Sequence, residues 1–390
     1  MLHFAFTALL AFQNASGSPN VTGAVPPAEV SADPAQGVPD APAVPTPRSR
    51  YRPTPVRVTP TPSAKGSDDQ LIVVNKSDNS ISILDAATGK TRWTVPASKT
   101  PHEAEVLAGA KMAAVSEYGK TGDPGRTVLL IDLEKGAIAS KIDLGENSRP
   151  HGLKALRDGR LLITAEGTKE LVVLDPRTGK LTQRIPTGRD VSHMVAASPD
   201  SRRAYVTSLA SGSVTAIDLK TGKVLADIPT GKGAEGIDVS PDGREVWVTN
   251  RGANTISIVD AGTLKVVHTI RGTEFPIRVR FTPDGRRAVV AFTGSGDVGV
   301  YDTATRAEIK RIALGRDAVN GAESRVFQKR FGSSSVPVGL FIAPDGSRAW
   351  VAASHADVVA VIDLAKLRVE DAWVAGREPD GLAGRFVKKP

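Results

Sequence analysis

The sequence predicts an all-β fold, a seven-bladed β-propeller with four-stranded blades, and three observations support that prediction. An alternating apolar stretch that ends in Asp recurs at intervals of about 42 residues. Each interval contains four short runs of β-branched and apolar residues. The C-terminal segment contains an inner-strand run that the first interval lacks. Repeats of this length with four strands are typical of propeller blades.

The repeat is most visible at the Asp residue that ends its third run. Insertions near Lys120–Arg126 and Arg316–Val336 lengthen two of the intervals. An Asp at this place is expected to cap a tight turn by accepting backbone N–H groups. The seven residues are Asp85, Asp132, Asp175, Asp218, Asp260, Asp302 and Asp363.

One interval, residues 235–271, shows the predicted strands directly. It contains the runs GIDVS, VWVTN, TISIVD and KVVHTI, which are separated by turn-forming Pro, Asp, Gly and Asn residues. No long stretch of the repeat region has the 3.6-residue period of a helix. Since the apolar face of each unit can be covered only by neighbouring units, we expect the units to close into a ring.

The two ends of the repeat region predict how the ring closes. Six units begin with an inner strand, but the first unit, which starts at Asp69, does not. The missing run is found at Glu378–Ala383, with the sequence EPDGLA. We therefore expect the C-terminal strand to complete the first blade.

The sequence divides into three regions. Residues 1–16 contain the apolar run FAFTALLAF and predict a signal peptide, and hence a periplasmic or secreted protein. Residues 17–66 are rich in Pro and Ala and predict a disordered, partly polyproline-like linker. Residues 67–390 form the predicted propeller, which we expect to be monomeric. No apolar run reaches the length of a transmembrane helix.

Composition and charge narrow the function classes. The chain has no Cys, which excludes disulfides, thiolate metal sites and Cys nucleophiles. Its formal net charge of +8 makes nucleic-acid binding a function to consider. Because the cations are mostly dispersed along the chain, nucleic-acid binding is only the third hypothesis.

Several segments resemble the YVTN repeat of bacterial β-propellers. They are YVTS at 205–208, WVTN at 247–250, NTISI at 254–258, SPDG at 240–243 and DLKTGK at 218–223. The chain looks similar to the YncE-like branch of that family. The resemblance implies an exported seven-bladed propeller. Related propellers include lactonases, a muconate-cyclising enzyme and nitrous oxide reductase, so it leaves the activity open.

Alignment of the repeats brings ionisable residues into one position, just before each predicted inner strand. Three imidazoles and carboxylates at equivalent positions suit a divalent metal such as Zn or Cu, with His102, His151 and His193 as ligands. They equally suit proton transfer, ligand binding or hydrogen bonding between blades. In ring order the position holds Asp380, His102, His151, His193, Glu235, Ile277 and Val338.

Further candidates come from loops that should lie on the same face. Arg278, one residue into an inner strand, is a candidate anion clamp. The insertion Arg316–Val336 enters on this face and is interpreted as a lid that could bring Arg325 or Arg330 to a ligand, or as a tolerated surface insertion. The ligand-binding candidates are Asp380, Glu117, Glu166, Arg251, His355 and Arg325.

The leading hypothesis is a binding or interaction module that recognises a small anionic ligand or a protein partner on the axial face. The alternative is an enzyme at the same site, with acid–base chemistry of the lactonase or cyclase type or metal-assisted chemistry. In that case His151 or His193 would be the base, Glu235 the partner acid and Arg278 the anion clamp. The sequence leaves open whether the protein is an enzyme.

Overall fold

A computed structural model describes residues 68–146, 148–314, 330–331 and 334–387. These residues form seven four-stranded antiparallel sheets, which confirms the predicted all-β, seven-bladed propeller. The predicted signal peptide and linker lie outside the described residues, as do Arg325 and most of the insertion. No helix among the described residues is long and apolar enough to cross a bilayer.

The strands follow one another around the ring in chain order. Blades 1 to 4 contain β1 (Gln70–Asn75), β2 (Ser80–Asp85), β3 (Thr91–Pro96); β4 (Pro101–Val106), β5 (Met112–Lys120), β6 (Asp123–Asp132), β7 (Ala137–Asp143); β8 (Pro150–Ala155), β9 (Leu161–Ala165), β10 (Glu170–Asp175), β11 (Lys180–Pro186); and β12 (Ser192–Ala197), β13 (Arg203–Ser208), β14 (Ser213–Asp218), β15 (Lys223–Pro229). Blades 5 to 7 contain β16 (Ala234–Val239), β17 (Glu245–Asn250), β18 (Thr255–Asp260), β19 (Lys265–Arg271); β20 (Pro276–Phe281), β21 (Arg287–Phe292), β22 (Asp297–Asp302), β23 (Glu308–Ala313); and β24 (Pro337–Ile342), β25 (Arg348–Ala353), β26 (Val358–Asp363), β27 (Arg368–Val374). The last strand, β28 (Pro379–Arg385), returns to blade 1.

Burial along the strands explains the near-continuous apolar runs of the sequence. In β1 (QLIVVN) and β9 (LLITA) every residue is buried, because each sheet packs against a neighbour on both faces. The outermost strand of a blade instead alternates, as in β11 (KLTQRIP), where exposed and partly buried residues take turns. Among the strands of a blade, exposure to water is therefore concentrated on the outermost one.

Contacts between inner strands close the ring. The inner strands touch in the order β28, β4, β8, β12, β16, β20 and β24, and β24 contacts β28 again. Glycine allows this close approach, since a Cβ at Gly339 would collide with the carbonyl oxygen of Asp380. β28 pairs antiparallel with β1, with Ile72 opposite Ala383, which confirms the predicted closure.

The repeated Asp residues cap the turn after the third strand of a blade. The Asp85 carboxylate accepts the backbone N–H groups of Ala87 and Thr88 at 3.0 and 2.9 Å. The Asp218 carboxylate accepts the N–H of Thr221 at 2.7 Å. These side chains are therefore structural, as their place in the sequence indicates.

A side-chain bridge between the second and third strands distinguishes otherwise similar blades. In blade 1 the Asn75 amide donates to Ser80 and Ser82, and in blade 5 the Asn250 amide donates to Thr255 and Ser257. Blade 4 has the shorter Ser208 at the same register position, opposite Ser213. Within the described residues, the buried hydroxyls of Ser208, Ser213 and Thr215 have no hydrogen-bond partner.

Removal of the closing strand should destabilise the whole ring. A chain that stops after Val374 would leave the apolar edge of β1 without a partner. We expect the free energy of unfolding to fall by at least about 3–5 kcal/mol, the cost of truncating one large core side chain, measured by chemical denaturation. A chain that stops after Val387 keeps β28 and should match the full chain; equal stability of the two truncations would contradict the closure.

The substitution Ser208→Asn should stabilise the protein, because the amide can bridge the hydroxyls of Ser213 and Thr215 as Asn250 does in blade 5. The expected gain in the free energy of unfolding is about 1 kcal/mol, the net value of an added hydrogen bond. Denaturant titration measures it, and Asn250→Ser should give a loss of similar size. A clear loss for Ser208→Asn would show that blade 4 has no room for the amide.

Candidate functional site

The aligned ionisable residues converge at the centre of the ring. Each is the second residue of its inner strand, rather than the residue before it as predicted. The ring centroids of His102 and His151 lie 5.1 Å apart, and those of His151 and His193 lie 3.9 Å apart. His193 Nε2 lies 2.9 Å from Glu235 Oε1. Four consecutive blades thus place their equivalent side chains in contact.

These residues and their polar neighbours form one connected group, which we call the axial cluster. Its members come from the inner strands and from the segments beside them on the same face. They are Lys76, His102, Glu103, Tyr118, Arg149, His151, Glu166, His193, Glu235, Arg251, Arg278 and Asp380.

His193 is held between two buried carboxylates. Its Nδ1 lies 2.5 Å from Glu166 Oε1, and its Nε2 contacts Glu235. Burial opposes a charge on the imidazole, but Glu235 and Glu166 outweigh it and raise the pKa of His193 to about 9. At neutral pH His193 is therefore an imidazolium that donates both of its N–H groups. This state does not favour His193 as a general base, and that role stays a prediction.

Glu235 and Arg278 continue the network across the centre. Burial would raise the pKa of Glu235, but Arg251, His193 and Arg278 hold it well below its usual range. Arg251 Nη1 lies 3.0 Å from Glu235 Oε2, and Arg278 Nη1 lies 3.3 Å from Oε1. Arg278 also pairs with Glu103 of blade 2, which is not a neighbour of blade 6. Since both carboxylates hold its guanidinium, the geometry does not support Arg278 as an anion clamp.

Tyr118 is a member of the cluster that sequence reasoning missed. Its hydroxyl donates to Glu166 Oε2 at 2.6 Å and accepts from Arg149 Nη1 at 3.1 Å. Its ring lies 4.4 Å from His102 and 5.5 Å from His151, measured between centroids. The Tyr118 side chain thus connects the His193–Glu166 ion pair to the other two imidazoles.

Strand register explains why Glu117 was predicted in its place. Pro101 pairs with Glu117 just as Ala234 pairs with Asn250, so the residue equivalent to Arg251 is Tyr118. An offset of one residue moves a strand side chain to the other face. The same register comparison would have found Tyr118 in the sequence.

Glu117 instead fixes the loop that enters blade 2. Its carboxylate accepts the N–H of Ser98 at 2.6 Å and the hydroxyl of Thr127 at 2.5 Å. It also pairs with Lys141 at 2.8 Å. The oxygens of Glu117 are thus engaged within its own blade, and its role as a ligand-binding residue stays a prediction.

His102 and His151 are held neutral. Burial lowers the pKa of both imidazoles well below the usual value. Lys76 and His193 lower that of His102 further, and His193 and His102 lower that of His151. His151 is 4% exposed, and among the described residues its Nδ1 has no hydrogen-bond partner. The positive charges of Lys76, His193 and Arg278 thus act on both neutral imidazoles.

Asp380 and Lys76 border these imidazoles. Asp380 Oδ2 lies 3.6 Å from His102 Nδ1 and 3.5 Å from Lys76 Nζ. Burial raises the pKa of Asp380 to about 6, although Lys76 opposes the shift. Asp380 thus belongs to the cluster, as predicted from its ring position.

The apolar part of the ring is covered by the end of the insertion. Ile277 and Val338 pack with Val336, and Phe331 lies against this group. The Arg330 guanidinium lies over the Phe275 ring at 5.0 Å. His355, another predicted ligand residue, is buried, and its backbone N–H donates to the Ser335 carbonyl at 3.0 Å. The apolar side of the ring is thus occupied by these residues. The candidate site is therefore the polar side.

Comparisons with known proteins agree with the fold. Residues 161–279 match the family described as Cytochrome D1 heme domain, which is less than half of the chain. Hydrazine synthase of Kuenenia stuttgartiensis is 19% identical with a TM-score of 0.56, and the match covers 69% of this chain and 79% of that chain. A functionally unknown protein from Desulfotomaculum acetoxidans DSM 771 is 13% identical with a TM-score of 0.67, covering 82% and 99%. No curated protein sequence matches the chain.

These matches show that the chain is similar to known β-propellers. The finer assignment to the YVTN or YncE-like family stays a prediction. The matched segment runs from β9 into β20 and contributes Glu166, His193 and Glu235 to the axial cluster.

The two histidines of the matched segment do not fit the role of haem ligands. A haem iron needs an axial ligand such as an imidazole nitrogen. The histidines of residues 161–279 are His193 and His268. Both ring nitrogens of His193 are bonded to carboxylates, and His268 is exposed on the outer strand β19.

The charge of His193 predicts how stability depends on pH. Because its folded pKa of about 9 exceeds the unfolded value of 6.5, its contribution is complete below pH 6.5 and is lost as pH rises to 9. We expect a loss on the order of 2–3 kcal/mol over this window. Urea titrations at pH 6.5, 7.5 and 9 measure it.

The variants His193→Gln and His268→Gln provide the comparison. His193→Gln should be less stable at pH 6.5 and should lose this slope, because the imidazolium is gone. His268→Gln, at an exposed position, should keep it. An unchanged slope in His193→Gln would contradict a charged His193.

Proposed function

We propose that the chain is a binding propeller whose axial cluster binds a small oxyanion, a carboxylate or an inorganic oxyanion, beside His102 and His151. One observation carries the proposal. Two buried neutral imidazoles lie in contact near the positive charges of Lys76, His193 and Arg278, and the Nδ1 of His151 has no hydrogen-bond partner among the described residues. An imidazole that takes up a proton can donate a charge-assisted hydrogen bond to an oxyanion.

The sign of the potential supports an anionic ligand. Positive charges on His193, Arg278 and Lys76 disfavour protonation of His102 and His151. An anion beside these rings would interact favourably with the same charges and would offset the cost of protonating an imidazole. Binding should therefore be coupled to proton uptake and should strengthen as pH falls.

A divalent metal is the rival ligand at this site. Ligating atoms of His151, Glu166 and His193 lie within 4.8 Å of one another, a set that differs from the predicted His102, His151 and His193. Zn or Cu would need a neutral imidazole at His193. Both nitrogens of His193 already bond to carboxylates, and the positive potential acts against a second cation. These observations favour the oxyanion.

In the enzyme alternative, one histidine remains as the candidate general base. Since His193 is charged and Arg278 is held by carboxylates, His151 is the remaining histidine of the predicted catalytic set. A protein partner on the axial face, a monomeric state, a periplasmic or secreted location and nucleic-acid binding stay predictions.

Calorimetric titration with sulfate and with acetate tests the oxyanion site, because both probes keep a constant charge from pH 6 to 8. We expect affinity to rise as pH falls from 8 to 6. Protons should be taken up, and titrations in two buffers of different ionisation enthalpy would count them. His151→Ala should lose about 10-fold or more in affinity, the loss of one charge-assisted hydrogen bond.

The exposed His268→Ala is the matched control and should bind as the wild type does. Equal binding by His151→Ala, or release of protons on binding, would contradict the proposal. Tight binding of Zn²⁺ that is abolished in His151→Ala, without anion binding, would favour the metal site instead.

A further inference from the structure

One cation of the axial cluster, Arg149, differs from the others in its partners. Its guanidinium donates to the neutral hydroxyl of Tyr118 at 3.1 Å and lies over that ring, 5.2 Å from the centroid. Among the described residues it pairs with no carboxylate. Each of the other cations does, and these are Lys76, His193, Arg251 and Arg278. The positive charge of Arg149 is therefore available to a ligand.

We propose that Arg149 is the anion clamp of the axial site and that the ligand of the site is a small dicarboxylate. One carboxylate binds to the guanidinium of Arg149, and the other binds beside His151. This inference rests on the proposed oxyanion site and names its ligand class. Arg278, the candidate clamp of the sequence analysis, is held by Glu103 and Glu235 instead.

The two anion-binding groups lie beside the same aromatic ring. The His151 ring centroid is 5.5 Å from that of Tyr118, and the Arg149 guanidinium carbon is 5.2 Å from it. Arg149 and His151 are also only two residues apart in the chain. A molecule of a few carbon atoms can therefore reach both groups.

The chemistry of the two groups favours one carboxylate for each. A guanidinium presents its N–H donors as a planar fork that matches the two oxygens of a carboxylate. The imidazole of His151, once protonated, donates a charge-assisted hydrogen bond from its unpartnered Nδ1. A monocarboxylate would neutralise one of these two cations, whereas a dicarboxylate neutralises both.

Exposure places Arg149 on the open side of the cluster. His151 is 4% exposed, whereas Arg149 is only partly buried. The side chains of Lys76 and His102 are 16% and 11% exposed. Solvent thus reaches the cluster beside these less buried residues. An anion that enters there can bind to Arg149 and extend to His151.

The backbone at Arg149 provides a variant that removes the guanidinium without disturbing the blade. Arg149 has a φ of 55°, in the left-handed region, and the equivalent residue of blade 5 is Gly233 with a φ of 73°. Glycine adopts this conformation without strain. The Arg149 backbone N–H donates to the Gly125 carbonyl at 2.8 Å, and a glycine keeps that bond. The variant Arg149→Gly should therefore fold as the wild type does.

Calorimetric titration of the full chain at pH 7 with succinate and butyrate tests the proposal. The two probes have equally long carbon chains, but succinate has two carboxylates and butyrate has one. We expect the wild type to bind succinate about 10-fold or more tightly than butyrate. Arg149→Gly and Arg149→Gln should lose this preference and bind butyrate as the wild type does. His151→Ala should weaken the binding of both probes.

Arg306→Gly is the matched control. Arg306 lies in the turn between β22 and β23, has a φ of 62° and pairs with Glu245, outside the axial cluster. This variant removes the same charge from the same backbone conformation, so it should keep the preference for succinate.

The outcomes separate this inference from the function on which it rests. An unchanged preference for succinate in both Arg149 variants would overturn the clamp, while butyrate binding that depends on His151 would still support the oxyanion site. An equal loss for both probes in these variants would place one carboxylate on both residues and overturn the dicarboxylate. No binding of either probe by the wild type would overturn the oxyanion site, and this inference with it.

Discussion

Each blade of this chain is apolar on both faces, and that constraint determines the rest of the structure. Strands such as β1 and β9 are buried along their whole length, so no sheet can face water on either side. In a ring of seven sheets, neighbouring blades cover both apolar faces of each sheet, and the outer strands stay partly exposed. The closing strand β28 completes the arrangement by pairing with β1, so the two ends of the described chain stabilise the same blade.

The ring also creates the candidate site. Equivalent positions of successive inner strands must point to one centre, so residues 42 to 49 apart in sequence come into contact. Ionised groups are buried there, and burial of charge is tolerated only with compensating partners. His193 has Glu166 and Glu235, and Arg278 has Glu235 and Glu103. His102 and His151 are the members that stay neutral, and they lie in the field of the others.

The similarity to known propellers concerns the scaffold rather than the chemistry. The segment that matches the haem-domain family contains strands common to the repeat, while its axial residues are engaged in ion pairs. Phe331 and Val336 pack with Ile277 on the apolar side of the ring centre. The candidate site therefore lies on the polar side.

The sequence by itself determined the architecture, because period, strand pattern and the displaced inner strand are local features that repeat. It also identified His102, His151, His193, Glu235 and Asp380 as equivalent, since alignment of repeats needs no coordinates. Glu117 was predicted at the position that Tyr118 occupies, because the face of a strand residue depends on its pairing register. The insertion near Lys120–Arg126 obscured that register in the sequence. The Arg278–Glu103 pair and the charge on His193 depended on the tertiary structure. Both arise from contacts between distant blades and from burial, which no local pattern in the chain encodes.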